Sequence, residues 1–195
     1  LTIHEVTVEA LKHWAPPEAI VMVAIAGAES AYNGNGRGDR ISIFNTADKA
    51  KYAAFACGEY LSFGAWQIFL GVHTQRVRDW SGLSAPCELA EWLMDVKNNA
   101  TIAKIVYDNQ GFRAWSTFAN DAYVAFLDDA TAAVSAVLAA TTQLDSTLVT
   151  AVSLAPPHIH IDFADGHFEE FNLRDVSVHG PWLRFNVDRG MVDNP

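Results

Sequence analysis

From Ala19 to Ala28 the chain runs without a polar side chain, and the run ends on Glu29-Ser30. Such a segment cannot face water, yet it falls well short of the roughly 18 to 20 residues that a membrane span needs. It predicts a buried helix. Pro16 and Pro17 stand just ahead of it, where proline suits a helix start because it gives up no needed hydrogen bond. The helix therefore carries Glu29 to its end at the edge of the core. A carboxylate partly stripped of water has its charged form disfavoured and its pKa raised, which prepares it to act as a general acid.

The rest of the chain gives this helix a core to sit in. At 195 residues, 50% hydrophobic and 18% charged, it has the length for one domain with a full core plus a small second module. Its formal charge of -10 leaves no basic stripe to neutralise phosphates, so no nucleic-acid partner is expected. The N-terminus lacks a basic segment followed by an apolar one and begins with Leu1, which reads as a processed chain or an excised domain. No membrane span is expected. Cys57 and Cys87 are too few for a disulfide scaffold and lack Cys-x-x-Cys spacing. One bridge or two buried thiols are both open, and two thiols is the preferred reading.

Before the apolar run, Ile3, Val6, Ala10 and Trp14 fall at helical spacing, with Thr2 and Glu5 placed as a capping box. After it, Asn33 to Asp39 is glycine-rich and predicts a helix end and a loop. The Arg37-Gly38-Asp39 triplet in that loop resembles an adhesion motif, and chance occurrence in a turn is the simpler account. Residues 41 to 56 show mixed periodicity and are assigned no element. Gly58 to Ile68 sets Gly64 and Ala65 between Phe63 and Trp66, so backbone there must approach something closely. Two helical segments follow, over residues 84 to 99 and 99 to 108. The Asn99-Ala100-Thr101 sequon carries little weight without a eukaryotic secretory origin. An aromatic turn at Gly111 to Phe118 precedes an alanine-rich helix from Asp121 to about Gln143, with Tyr123, Phe126, Ala130, Ala133, Val134 and Val137 on its apolar face.

Beyond Pro157 the periodicity changes to alternation, at Ile159, Ile161 and Phe163 and again at Leu183, Phe185 and Val187, with Asp165-Gly166 as a hairpin signal. A small antiparallel sheet of about three to five strands is expected, packed on the helical part or on another protein, since so small a sheet is marginal alone. His158, His160 and Asp162 would share one strand face with metal-ligand chemistry. A solvent-facing polar edge explains that row more simply, so no metal and no cofactor is expected.

Glu29-Ser30, then Ser62-Phe63-Gly64-Ala65-Trp66-Gln67-Ile68, then the aromatic turn and Tyr123, stand in an order that resembles the lysozyme-like superfamily. The resemblance is to its soluble lytic transglycosylase and goose-type lysozyme branch, found in phage lysins and tail-associated muralytic domains. It covers roughly residues 15 to 126. It implies an α+β fold, with a mainly α lysozyme-like catalytic domain over residues 1–143 and a β-rich module over 144–195 that packs or anchors it. It implies cleavage of the β-1,4 bond between N-acetylmuramic acid and N-acetylglucosamine in peptidoglycan, outside the cytoplasm or on a virion. Glu29 then corresponds to the catalytic acid and Ser30 to its usual companion. Gly64, Trp66 and Gln67 line the cleft with Ser62 and Trp115, Tyr123 corresponds to the tyrosine near the acid, and Asn98, Asn99 and Ala100 to the asparagine and alanine ahead of a helix.

The family's animal c-type members have an aspartate where this chain has Ser62. That departure favours a scheme in which Glu29 acts as acid and then as base, the sugar closing on itself to a 1,6-anhydro end. Hydrolysis would need a second carboxylate, with Asp39, Asp48 and Glu59 as candidates, and it becomes the competing route if Glu59 reaches the cleft. The rival of another class is a glycan-binding or structural surface module without turnover, and the β module is the expected contact for a protein partner.

Overall fold

The computed structural model describes residues 1–155, 158–163, 168–179 and 182–188, and the side chains of residues 1–141. The chain divides into two compact units, Leu1–Val137 and Leu138–Pro195.

The first unit is predominantly helical. Helix α1 (Ile3–His13) opens with the expected capping box, the Thr2 hydroxyl accepting from the Glu5 N–H while the Glu5 carboxylate accepts from the Thr2 N–H. Helix α2 (Pro16–Ser30) follows, with proline in its first turn. Ala19 and every residue from Met22 to Ala26 have no exposed surface, so α2 is buried on all sides, as its composition requires. Its end is unusual. Ala31 and Tyr32 both take left-handed backbone, φ 52° and 62°, a conformation usually left to glycine at such a cap. Their N–H groups return to Gly27 O and Ala26 O, which closes the last turn.

A three-stranded antiparallel sheet comes next, in the order β1 (Arg37–Arg40), β2 (Tyr60–Phe63) and β3 (Ile68–Phe69). The Arg-Gly-Asp triplet is thus strand, not turn, because Arg37 and Gly38 pair with Phe63 and Ser62. Between β1 and β2 lies helix α3 (Thr46–Tyr52), capped by Asn45 and flanked by single 3-10 turns. This short helix accounts for the mixed periodicity of residues 41 to 56. Helices α4 (Leu70–Ser81), α5 (Pro86–Met94) and α6 (Val96–Gln110) complete the core. The break between α5 and α6 falls at Asp95 and not at Asn99, because the Asp95 carboxylate caps the Asn98 N–H.

Cys57 and Cys87 form a disulfide, which corrects the preferred reading of two thiols. The pairing is set by the fold, which brings the start of α5 against the turn before β2, a proximity that a separation of 30 residues does not advertise.

The short helix α7 (Ser116–Ala119) and a 3-10 turn at Ala122–Phe126 lead into helix α8 (Leu127–Leu148). The predicted single helix from Asp121 is therefore a tight turn first, entered through a left-handed Asp121. Ala130 and Val134 are buried, as the predicted stripe requires. Ala122–Thr141 is long and apolar enough to cross a membrane by length and composition alone, although Asp128 and Asp129 sit in the first turn of α8.

In the second unit β4 (Val149–Ala155), β5 (His158–Phe163), β6 (Phe168–His179) and β7 (Trp182–Asp188) form an antiparallel meander. This agrees with the alternation read from the sequence. His158, His160 and Asp162 fall on β5, with side chains outside the described residues, as is the Asp165-Gly166 turn.

Candidate active site

Several elements converge on a cleft lined by Glu29, Asp39, Gln67, Ile68, Phe69, His73, Val106, Ala114, Trp115 and Ser116. Glu29 comes from the last turn of α2, Asp39 from β1, Gln67 to Phe69 from the turn and strand after β2, and His73 from the first turns of α4. The opposite wall comes from the end of α6 and the turn before α7.

Glu29 is half-buried. Burial pushes its pKa above the ordinary carboxylate range, and the negative charge of Asp39 pushes the same way. A hydrogen bond from Thr117 opposes both, its hydroxyl donating to Glu29 Oε1 at 2.6 Å. The acid the sequence pointed to is thus a carboxyl with a raised pKa, oriented by one hydroxyl.

Asp39 stands exposed at the cleft rim, on backbone with φ 49°. Its carboxylate accepts a hydrogen bond from the buried Ser62 hydroxyl on the neighbouring strand. Ser62, read as the position where an aspartate was missing, instead holds an aspartate from the next strand. Glu59 does not reach the cleft lining. Its side chain is half-exposed and lies 3.6 Å from the Arg40 guanidinium, so the condition for its taking part as a second carboxylate is not met in this structure. Asp48 sits in the first turn of α3, its carboxylate accepting from Nδ2 of the capping Asn45, and it is not on the cleft lining.

Gly64 to Gln67 forms a tight turn under the cleft. Gly64 has φ +81°, and a Cβ there would collide with the Asn99 amide and Leu93 O. Asn99 is fully buried and clamps the turn from both sides, Nδ2 donating to Phe63 O at 3.0 Å and Oδ1 accepting from the Trp66 N–H at 2.9 Å. Buried and doubly bonded, Asn99 offers no surface for the sequon's glycan. Gln67 takes φ 47°, and its Nε2 donates to Gly64 O at 2.8 Å. Gly36 and Gly38 pack against its amide, where a Cβ at Gly36 would come within 2.9 Å of Nε2. The loop glycines thus make room for the Gln67 side chain. The Ser30 hydroxyl, 2.8 Å from Ala65 O, ties the end of α2 to the same turn.

Trp66 departs from expectation. It has no exposed surface, and its indole N–H donates to Met22 O at 2.8 Å. It is a core residue that anchors the turn to α2 and presents no face to a ligand. Trp115 does line the cleft, 5% exposed, with its indole N–H donating to Trp66 O at 2.9 Å. Tyr123 stacks on Phe118, ring centroids 4.8 Å apart, and the hydroxyl bonded to Glu29 is that of Thr117. Glu29, Gln67 and Trp115 are brought together as expected, while Ser30, Ser62 and Gly64 support the cleft from behind.

Of the three candidate carboxylates only Asp39 lines the cleft with Glu29, and two lining or orienting residues, Thr117 and His73, were not among the expected ones. His73 Nδ1 lies 2.7 Å from Arg76 Nη1, and burial together with that guanidinium lowers the imidazole pKa to about 4. An i, i+3 His-Arg pair on a helix was the only available signal. Among the described residues, two of the five non-glycine residues with left-handed backbone line the cleft (Asp39 and Gln67), and two more (Ala31 and Tyr32) follow Glu29-Ser30 at the end of α2, a concentration of strain usual at functional sites. Among the described residues no group of three His, Cys, Asp or Glu is arranged to hold a metal ion. No protein-family model matches the chain, and no curated protein and no solved structure matches it either.

Proposed function

We propose that the chain cleaves the β-1,4 glycosidic bond between N-acetylmuramic acid and N-acetylglucosamine in bacterial peptidoglycan, with Glu29 as the proton donor. The observation that carries the reading is the facing of two unlike carboxyl groups in one cleft. Glu29 has a raised pKa and Asp39 sits exposed at the rim. Breaking a glycosidic bond requires protonating a poor leaving group while something compensates the cation developing at C1. Protonated Glu29 gives its proton to the bridging oxygen. Asp39, held by Ser62, takes a proton from a water that attacks C1, and the product keeps a reducing end. Gln67 and Trp115 are among the polar and aromatic groups on the lining that hold the sugars in this reading.

The lytic transglycosylase route is the second reading. There Glu29, once ionised, takes the proton of the muramyl C6 hydroxyl, and O6 closes on C1 to leave a 1,6-anhydro end. The support for it is that Glu29 carries the raised pKa and the oriented hydrogen bond, while Asp39 lies in the open. The disulfide supports action outside the reducing cytoplasm, at the cell wall or on a virion. The rival of a glycan-binding module without turnover is met by the same experiment. Purified sacculi lose turbidity with the wild-type chain and keep it with Glu29→Gln, and equal clearing by both overturns the assignment. Mass spectrometry of the released muropeptides separates the two routes, because reducing and anhydro ends differ by one water.

A further inference from the structure

His73 sits in the cleft wall, yet no step of the chemistry above uses it. Arginine carries only donors, so the 2.7 Å contact between Arg76 Nη1 and His73 Nδ1 fixes Nδ1 as an acceptor. A neutral imidazole whose Nδ1 accepts must carry its proton on Nε2. The second proton that would make it imidazolium would have to lie on Nδ1, against a guanidinium. The other charged groups on the cleft are Glu29 from α2 and Asp39 from β1, while Val106, Ala114, Trp115 and Ser116 on the far wall carry none. Burial and the Arg76 charge both lower the ring's pKa and keep it neutral. The group the ring has left to offer is therefore a single fixed donor, Nε2–H.

We propose that His73 is a substrate-binding residue whose Nε2–H donates to an acceptor oxygen of the bound glycan, an acetamido carbonyl or a hydroxyl, with Arg76 as the positioning residue that sets its tautomer. This rests on the reading of the cleft as a glycan site. The ring donates without accepting, so it selects oxygen acceptors and does not take part in proton transfer. An i, i+3 pair within one helix makes the arrangement rigid, because both side chains rise from the same turns of α4.

The test uses the full chain carrying Glu29→Gln, so that glycan is bound and not cut, and titrates the peptide-free tetrasaccharide of alternating N-acetylglucosamine and N-acetylmuramic acid by calorimetry. In this background His73→Asn supplies an amide oxygen near the Nδ1 position for Arg76 but lacks the distal donor. Its affinity is expected to fall roughly 5- to 10-fold, the loss of about one hydrogen bond. His73→Gln, whose amide reaches the Nε2 position, is expected to recover most of it. Nitrogen-15 spectra of the wild-type ring should show the Nε2–H tautomer from pH 5 to 8. Equal affinity of His73→Asn and its parent, or an Nδ1–H or imidazolium ring at pH 7, overturns the role of His73 and leaves Glu29 untouched. A parent that binds no glycan at all overturns the function reading and this inference together.

Discussion

The hydroxyl of Thr117 reaches Glu29 across 88 positions of sequence, donating to its Oε1 at 2.6 Å. That bond favours the ionised carboxyl, against the burial and the Asp39 charge that favour the neutral one. Removing it in Thr117→Val should raise the Glu29 pKa further. The alkaline limb of the pH–activity profile on sacculi should then move to higher pH, while Thr117→Ser keeps the wild-type limb. An unchanged limb in Thr117→Val would separate Thr117 from the proton donor.

The raised pKa of Glu29 also has a sign in stability. The folded chain holds this proton more tightly than the unfolded one, so stability falls as pH rises from the unfolded pKa of about 4.3 through the higher folded value. Above that window the full cost of ionising a half-buried carboxyl persists. Glu29→Gln should therefore melt higher than wild type at pH 7, and the difference should close below about pH 4. Thermal unfolding at the two pH values measures it.

Asp39 divides the two chemical routes. If it activates water, Asp39→Asn should lose about 100- to 10,000-fold in rate, the usual worth of a general base. If Glu29 works alone, the same variant should stay within a few-fold of wild type and release anhydro ends. Ser62→Ala should follow Asp39→Asn in direction with a smaller loss, because it frees the carboxylate that Ser62 holds.

Asn99 supports the cleft from inside the core. Asn99→Ala takes the side-chain partner from the Trp66 N–H and from the Phe63 C=O in the buried turn, which should cost about 2–4 kcal/mol by chemical denaturation. Activity should fall with it even at temperatures where the variant is folded, since the turn carrying Gln67 loses its clamp.

Much of this arrangement is legible in the chain before folding. A helix buried on every side has to be apolar on every side, so α2 and its terminal Glu29 announce themselves, and the Thr2–Glu5 cap is a local pattern. Gly64 is marked because the close approach of Asn99 leaves no room for a Cβ. What escaped depends on contacts between distant segments. Asp39 is one of three candidate carboxylates, and what sets it apart from Asp48 and Glu59 is a strand of four polar or small residues that only pairing with β2 defines. Thr117 is one hydroxyl in an aromatic turn, and nothing local says it meets α2. Trp66 was misread because an aromatic ring beside a tight glycine turn looks the same whether it faces core or cleft, and Tyr123 because its place in the order said nothing of which hydroxyl arrives. The disulfide was left open beside two thiols because two cysteines 30 residues apart do not say whether the fold brings them together.

Breaking that bridge, by Cys57→Ser with Cys87→Ser or by reductant, should lower stability by about 2–4 kcal/mol. Melting curves with and without dithiothreitol measure the loss, and no change would show that the bond constrains nothing.

The same bridge has a meaning apart from folding energy. Gln67, Phe69 and His73, one whole wall of the cleft, lie on the chain between Cys57 and Cys87. A cut by a protease anywhere inside that span would open the backbone without releasing a fragment, because both new ends remain joined through sulfur. The wall facing Glu29 would stay tethered to the molecule after the first nick.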